Sequence, residues 1–137
     1  MAKKRRREPA WVDRLVIDAV HLDLLREHGG LAGLRDENAL ESALARPKNR
    51  WNYEVGVDIA TLAAAYGWGL ATGHPYRDGN KRVAFVTMAT FVALNGYELE
   101  APDEEVVQAM MSVAARHRSE HDLADWVRAH LVRRRAS

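Results

Sequence analysis

Apolar residues recur at three- and four-residue spacing along most of this chain, which predicts a succession of helices rather than strands. Leu15, Ala19, Leu22 and Leu25 or Arg26 give a first helix, stopped by the glycines of "HGG" at 28–30. Asp36 is placed to cap a second, with Leu40, Ala43 and Leu44 on one face, and Pro47 is expected to end it. The next segment, "KNRWNYEVGV" from Lys48 to Val57, lacks a helical period and fits an irregular loop or a small hairpin. A third helix follows from an Asp58 cap, its core-facing stripe being Ile59, Leu62, Ala63, Tyr66 and Leu70, with Gly73 at its end.

From about Lys81 to Asn95 the pattern changes. Val83, Phe85, Val86, Met88, Phe91, Val92 and Leu94 lie all round the helix, as expected of one wrapped by its neighbours. Gly96 closes it, and Pro102, Asp103, Glu104 and Glu105 suit the first turn of a fifth helix. Ser119 and Asp122 form a capping box for a last one with Leu123, Trp126, Val127, His130 and Leu131 as its stripe. The expected fold is therefore all-α, a single compact helical bundle around a buried central helix that starts near residue 81. Its boundaries are read as a basic flexible arm over 1–10, a domain over 11–132 and a basic tail over 133–137.

Composition changes little in this picture. The 137 residues suffice for one core, and 47% apolar with 28% charged residues is ordinary for a globular chain. There is no cysteine, hence no disulfide, thiolate nucleophile or Cys-ligated zinc. The longest apolar stretch, Val83 to Leu94, is shorter than the roughly 20 residues that span a bilayer, so a soluble, cytoplasmic protein is expected. The net charge of +1 conceals Lys3, Lys4, Arg5, Arg6 and Arg7 at one end and Arg133, Arg134 and Arg135 at the other.

Chemistry concentrates in "HPYRDGNKR" at 74–82. His74 can take a proton near neutral pH and is the candidate general base. Asp78 offers the hard oxygen that magnesium prefers when it also holds a substrate's phosphates. Gly79 permits close backbone approach, and Asn80 is expected to cap the helix beside it, making an anion nest. Lys81 and Arg82 then stand in the first helical turn, where the helix dipole already presents positive charge and a cation costs about 0.3–1 kcal/mol. A polyphosphate seated on that helix end would turn the cost into binding. Base, metal carboxylate, nest and two cations in one segment point to phosphoryl or nucleotidyl transfer.

The same segment resembles the signature of the Fic/Doc family, His-x-Phe-x-Asp/Glu-Gly/Ala-Asn-x-x/Arg. "EHGGLAGLRDENALESALARPKN", "LAAAYGWGLATGH" and "FVALNGYELEA" extend the resemblance over residues 15 to about 130, towards the death-on-curing (Doc) branch. The resemblance implies His74 as catalytic base, Asp78 as the magnesium ligand, Gly79 and Asn80 as the anion-binding turn, and Arg82 as the phosphate-contacting arginine. Lys81 stands where adenylylating members have glycine, and Phe85 where they have a second arginine; both follow the Doc pattern. Tyr76 replaces the usual phenylalanine, and Val83 a frequent threonine. The implied activity is transfer of the γ-phosphoryl of ATP to a Ser or Thr hydroxyl of a protein, elongation factor Tu being the family's target type, with a small antitoxin as regulator. AMP transfer is the alternative within the family.

Three other readings are weaker. "HRSEH" at 117–121 matches a zinc-protease pattern, but Ser119 reads as a cap that separates the two histidines, and Arg116 and Arg118 repel a cation. The basic arm is suited to salt-sensitive nucleic-acid binding, a role with no use for His74. A catalytically idle relative that only pairs with a regulator would not need every site residue, and here all are present. Structural roles suffice for His21, His28 and His130, and the 48–57 segment is the expected place for a substrate clamp.

Overall fold

The computed structural model describes residues 7–134, so Lys3, Lys4, Arg5, Arg6 and Arg135 lie outside the described residues. Within this range the order is α1 (Arg14–His28), α2 (Glu37–Tyr53), α3 (Ile59–Gly73), α4 (Asn80–Leu94), β1 (Tyr97–Leu99), α5 (Asp103–Ala114), α6 (Glu120–Ala129) and β2 (Leu131–Arg133). The all-α bundle expected from periodicity is what forms. Helices α3 and α4 share its centre: Leu62, Tyr66 and Leu70 of the first, and Val83, Met88 and Phe91 of the second, are wholly buried.

The caps fall where acidic and hydroxyl side chains allow. Asp36 accepts the Ala39 N–H at 3.0 Å, Asp58 the Thr61 N–H at 2.9 Å, and Ser119 and Asp122 bond reciprocally at 3.0 Å to open α6. That box places His117 in the turn before the helix, so the two histidines of "HRSEH" share no helical face, as expected. Asp58 is also held by the Arg128 guanidinium at 2.8 Å, which keeps its carboxyl well below the ordinary value of 3.8. A depressed folded-state pKa stabilises above 3.8 and loses that contribution as pH falls towards the folded value. Asp58→Asn is accordingly expected to flatten the acid limb of the stability–pH curve below about pH 4, read by thermal melts from pH 2 to 7.

Four expectations need correction. The stripe expected to bury α1 faces outward, with Leu15 80% and Leu22 47% exposed; Ile17 and His21 are buried instead. Polar ties set that rotation: Asp18 accepts the Tyr76 hydroxyl at 2.8 Å and His21 reaches the Asp78 carbonyl at 3.0 Å. Second, α2 runs on through Pro47 to Tyr53, which removes the loop or hairpin expected over most of 48–57. A proline inside a helix costs about 3 kcal/mol, yet this one is buried in the packing of α2 on α3. Gly69 brings the two helices so close that a Cβ there would stand 3.0 Å from the Ala43 Cα, and Arg50 ties the far end of α2 to Glu54 and Glu120.

Third, α6 stops at Ala129, and Leu131 lies in β2, paired antiparallel with Leu99 of β1. Three-residue strands are too short to leave a legible period. The fourth correction, at Asn80, belongs to the site. At the other end of the chain, Asn95 receives the Ala10 N–H and returns a bond to its carbonyl, both at 2.9 Å, so the last residue of the expected arm is fastened to the end of α4.

The Tyr66 hydroxyl, deep in the core, accepts the Val12 N–H at 3.0 Å and donates to the Val12 carbonyl at 3.3 Å. Burial pushes this phenol up to about 12. Tyr66→Phe leaves both Val12 groups buried without a partner and is expected to cost about 1–3 kcal/mol in urea unfolding, with an unchanged m-value.

Candidate active site

The segment 74–79 joins the C-terminus of α3 to the N-terminus of α4, and its shape is imposed from both ends. His74 follows the last residue of α3 in the left-handed region, φ 48° and ψ 56°. For a non-glycine residue this conformation costs on the order of 1–3 kcal/mol and persists only where surrounding bonds enforce it. The bonds come from the connection between α1 and α2. Pro75 O accepts the N–H groups of Arg35 and Asp36 at 2.8 and 3.0 Å, Arg77 N–H reaches Gly33 O at 3.0 Å, and Leu34 pairs with Tyr76 as an antiparallel bridge. The Arg35 guanidinium donates to His74 O at 2.7 Å and to Gly73 O at 2.9 Å.

Pro75 and Tyr76 are buried by this pairing, while His74, Arg77 and Asp78 stay exposed. The Tyr76 ring stacks on His21 at 3.9 Å between centroids, and burial pushes its phenol well above the ordinary tyrosine range, with the Asp18 bond adding to the effect. His21 Nε2 lies 3.0 Å from Asp78 O; since a carbonyl only accepts, this nitrogen carries the proton. The structural role expected of His21 is support of the floor of the loop. Gly30 approaches from the same side with φ +119°, where a Cβ would meet the Asp78 carboxylate at 2.9 Å. Nothing in the period of α1 announces these contacts; the clustered glycines of "GGLAGLRD" were the available signal.

Asn80 does not cap α4. Its side chain turns back into the loop, accepting the Tyr76 N–H and donating to Tyr76 O, both at 2.9 Å. Gly79 occupies the capping position with φ 78°, and no side chain among the described residues bonds to this helix end. As at the start of any α-helix, the first N–H to find a backbone carbonyl lies four residues past the cap, here Val83 to Gly79 O at 3.0 Å. With glycine at the cap and Asn80 turned into the loop, no described side chain serves the N–H groups before it. The N–H groups of Asn80, Lys81 and Arg82 are left without an acceptor among the described residues. Such unpaired N–H groups are of the kind that suits an anion.

In front of that helix end is a cleft of about 290 Å³. Asp78, Gly79, Asn80, Lys81 and Arg82 line one side, and Phe85 with Val106, Val107, Met110 and Met111 forms an apolar wall. The side chains of Lys81 and Arg82 are exposed, and no carboxylate among the described residues pairs with either. His74 lies outside the cleft lining, at the opposite end of the loop. The α5 wall was not anticipated from the sequence, where only Pro102 and the carboxylates of the first turn marked this helix.

One divalent ion suits the donor set. The Asp78 carboxylate is exposed at the cleft, with Oδ1 accepting the Gly79 N–H at 2.9 Å and Oδ2 the Leu31 N–H at 3.4 Å, so each oxygen keeps a lone pair for another partner. A single protein oxygen, with waters and phosphates completing the shell, is the habit of magnesium. The exposed group His121, Asp122 and Asp125 on α6 also clusters, but its members are engaged in capping and ion pairs away from the cleft.

This helical domain presents an uncapped, cation-flanked helix terminus to a cleft. The family model described as Fic/DOC family matches residues 11–92, more than half of the chain. Over 111 residues, 80% of this chain and 86% of the relative, it is 30% identical to the "Protein kinase doc" of Escherichia phage P1. It is 39% identical over 77 residues to the "Toxin Doc" of Mycolicibacterium smegmatis strain ATCC 700084, covering 53% of this chain and 57% of that protein. The chain belongs to the Fic/Doc family, and its similarity runs to the Doc branch.

Proposed function

We propose that the protein is a Doc-like toxin that transfers the γ-phosphoryl group of ATP to a Ser or Thr hydroxyl of a target protein, and that a cognate antitoxin restrains it. The observation that carries this reading is the start of α4, where three free N–H groups, Lys81 and Arg82 converge on one cleft. A triphosphate there meets a preorganised positive surface, which is most of what phosphoryl transfer requires of a protein. Asp78 would hold magnesium, which supplies further charge neutralisation on the phosphates. The name of one relative, a protein kinase, supports phosphoryl transfer, and that of the other, a toxin, supports the toxin role.

In this scheme the chain's own residues act as follows. Asn80 and His21 hold the loop, and the α4 N–H groups, Lys81 and Arg82 orient the phosphates. His74 takes the proton of the incoming hydroxyl as its oxygen bonds to the γ-phosphorus. The bond from that phosphorus to the β–γ bridging oxygen breaks, and ADP leaves as the charge passes to groups already facing Lys81 and Arg82. Elongation factor Tu is the target type that family resemblance supplies, and arrest of translation in the cytoplasm is the consequence.

ATP labelled separately on its γ and α phosphates, incubated with magnesium and elongation factor Tu, tests the reading. Transfer of γ label alone is expected. Transfer of α label would make the protein an adenylyltransferase, and transfer of neither would leave a relative that acts by binding.

A further inference from the structure

The geometry points to Arg35 as a positioning residue for His74, an inference that rests on the transferase reading just given. Two non-glycine residues, His74 and Arg116, have positive φ among the described residues, and His74 is also followed by proline, whose ring restricts the residue before it. Left to itself, this backbone would relax, carrying the imidazole with it. Its two flanking peptide planes are held by a single side chain. Arg35 Nη2–H donates to Gly73 O at 2.9 Å, in the plane before the His74 Cα, and Arg35 Nε–H donates to His74 O at 2.7 Å, in the plane after it. Fixing both planes fixes φ and ψ together, and with them the direction in which the Cα–Cβ bond points.

The match is chemical as well as geometric. Carbonyls in the last turn of a helix lack intrahelical partners and carry partial negative charge, and a guanidinium presents adjacent N–H groups in a rigid plane. Arg35 is itself fastened at its own backbone, where its N–H donates to Pro75 O at 2.8 Å, so the clamp is braced against the loop it holds. Its one carboxylate neighbour among the described residues, Asp36, is 3.9 Å away, too far for a hydrogen bond that would compete. Arg35 does not line the cleft, which separates its role from that of Lys81 and Arg82.

Arg35→Ala and Arg35→Lys test this against wild type. The expected result is a kcat lowered by about 10- to 100-fold for Arg35→Ala, the effect of a misplaced reacting group, with KM for ATP within about twofold of wild type. Arg35→Lys keeps the charge but not the fork and is expected to recover less than half of the loss. The His74 imidazole signal in NMR spectra of the ring-labelled protein, assigned by its disappearance in His74→Ala, is expected to shift or broaden in Arg35→Ala while that of His130 stays in place. A folded Arg35→Ala protein with wild-type kcat, a loss confined to KM, or an unmoved His74 signal overturns the assignment. Failure of both variants to fold overturns it too, by making Arg35 a residue of the fold. If the wild-type chain transfers no phosphate at all, it is the transferase reading that fails, and the His74 signal still decides whether the clamp exists.

Discussion

His74→Ala is expected to lower phosphoryl transfer by about 10²- to 10⁴-fold, the usual contribution of a positioned general base, while leaving the melting temperature nearly unchanged. Activity and stability separate here because of how the residue is held. Its backbone is bound through its own carbonyl and through Pro75, so the loop keeps its ties when the ring is removed. The imidazole is exposed and makes no hydrogen bond within the described residues. Histidine is commoner than alanine in the left-handed region, so the exchange adds a little backbone strain, but surface changes of this kind usually fall within about 0.5 kcal/mol. Single-turnover transfer of γ label, set beside a thermal melt, checks both halves. A variant that keeps wild-type turnover removes His74 from the chemistry, and one that melts several degrees lower makes it a structural residue.

The sequence disclosed the helices and most of their caps because these depend on local rules: periodicity, and an Asp or Ser ahead of an apolar run. It was less informative wherever a distant contact overrides such a rule. Pro47 reads as a stop, and only the close approach of Gly69 to Ala43 explains why α2 absorbs it. The apolar row Leu15, Ala19 and Leu22 is a genuine stripe in the sequence, yet the polar anchors Asp18 and His21 turn the other face of α1 inward. Periodicity counts apolar residues and is blind to a buried histidine with a carbonyl waiting for it.

The candidate site shows the same division. Its residues are contiguous, so "HPYRDGNKR" could be read as a unit, down to the conflict between the dipole of α4 and the two cations at its start. What could not be read is the scaffold around it. Arg35, His21 and Gly30 meet the loop from 39 to 57 positions away, or nearly so, and their spacing carries no signal. Asn80 illustrates the limit at a single residue: both uses, helix cap or loop clasp, suit an asparagine there, and only the position of Tyr76 selects the second.

The same electrostatic conflict makes a prediction of opposite sign for stability and function. Without a bound anion, Lys81 and Arg82 stand against a helix end worth about +0.5 charge, so each is expected to destabilise the free protein by about 0.3–1 kcal/mol. Removing both in a Lys81→Ala, Arg82→Ala variant is therefore expected to raise the melting temperature of the free protein by a few degrees at low salt. High salt should erase most of the gain, because both side chains are exposed and screening shortens the reach of their repulsion. Transfer should meanwhile fall by about 10²- to 10³-fold or more, the loss seen when charge-stabilising groups are removed from a developing anion. ATP with magnesium links the two effects. At a concentration of 100 times Kd, ligand binding stabilises wild type by about 2.7 kcal/mol, and the variant should lose most of that shift at the same concentration. A variant that melts below wild type and still responds fully to ATP would show that these cations serve the fold rather than the phosphates, and the helix end would no longer explain why they are there.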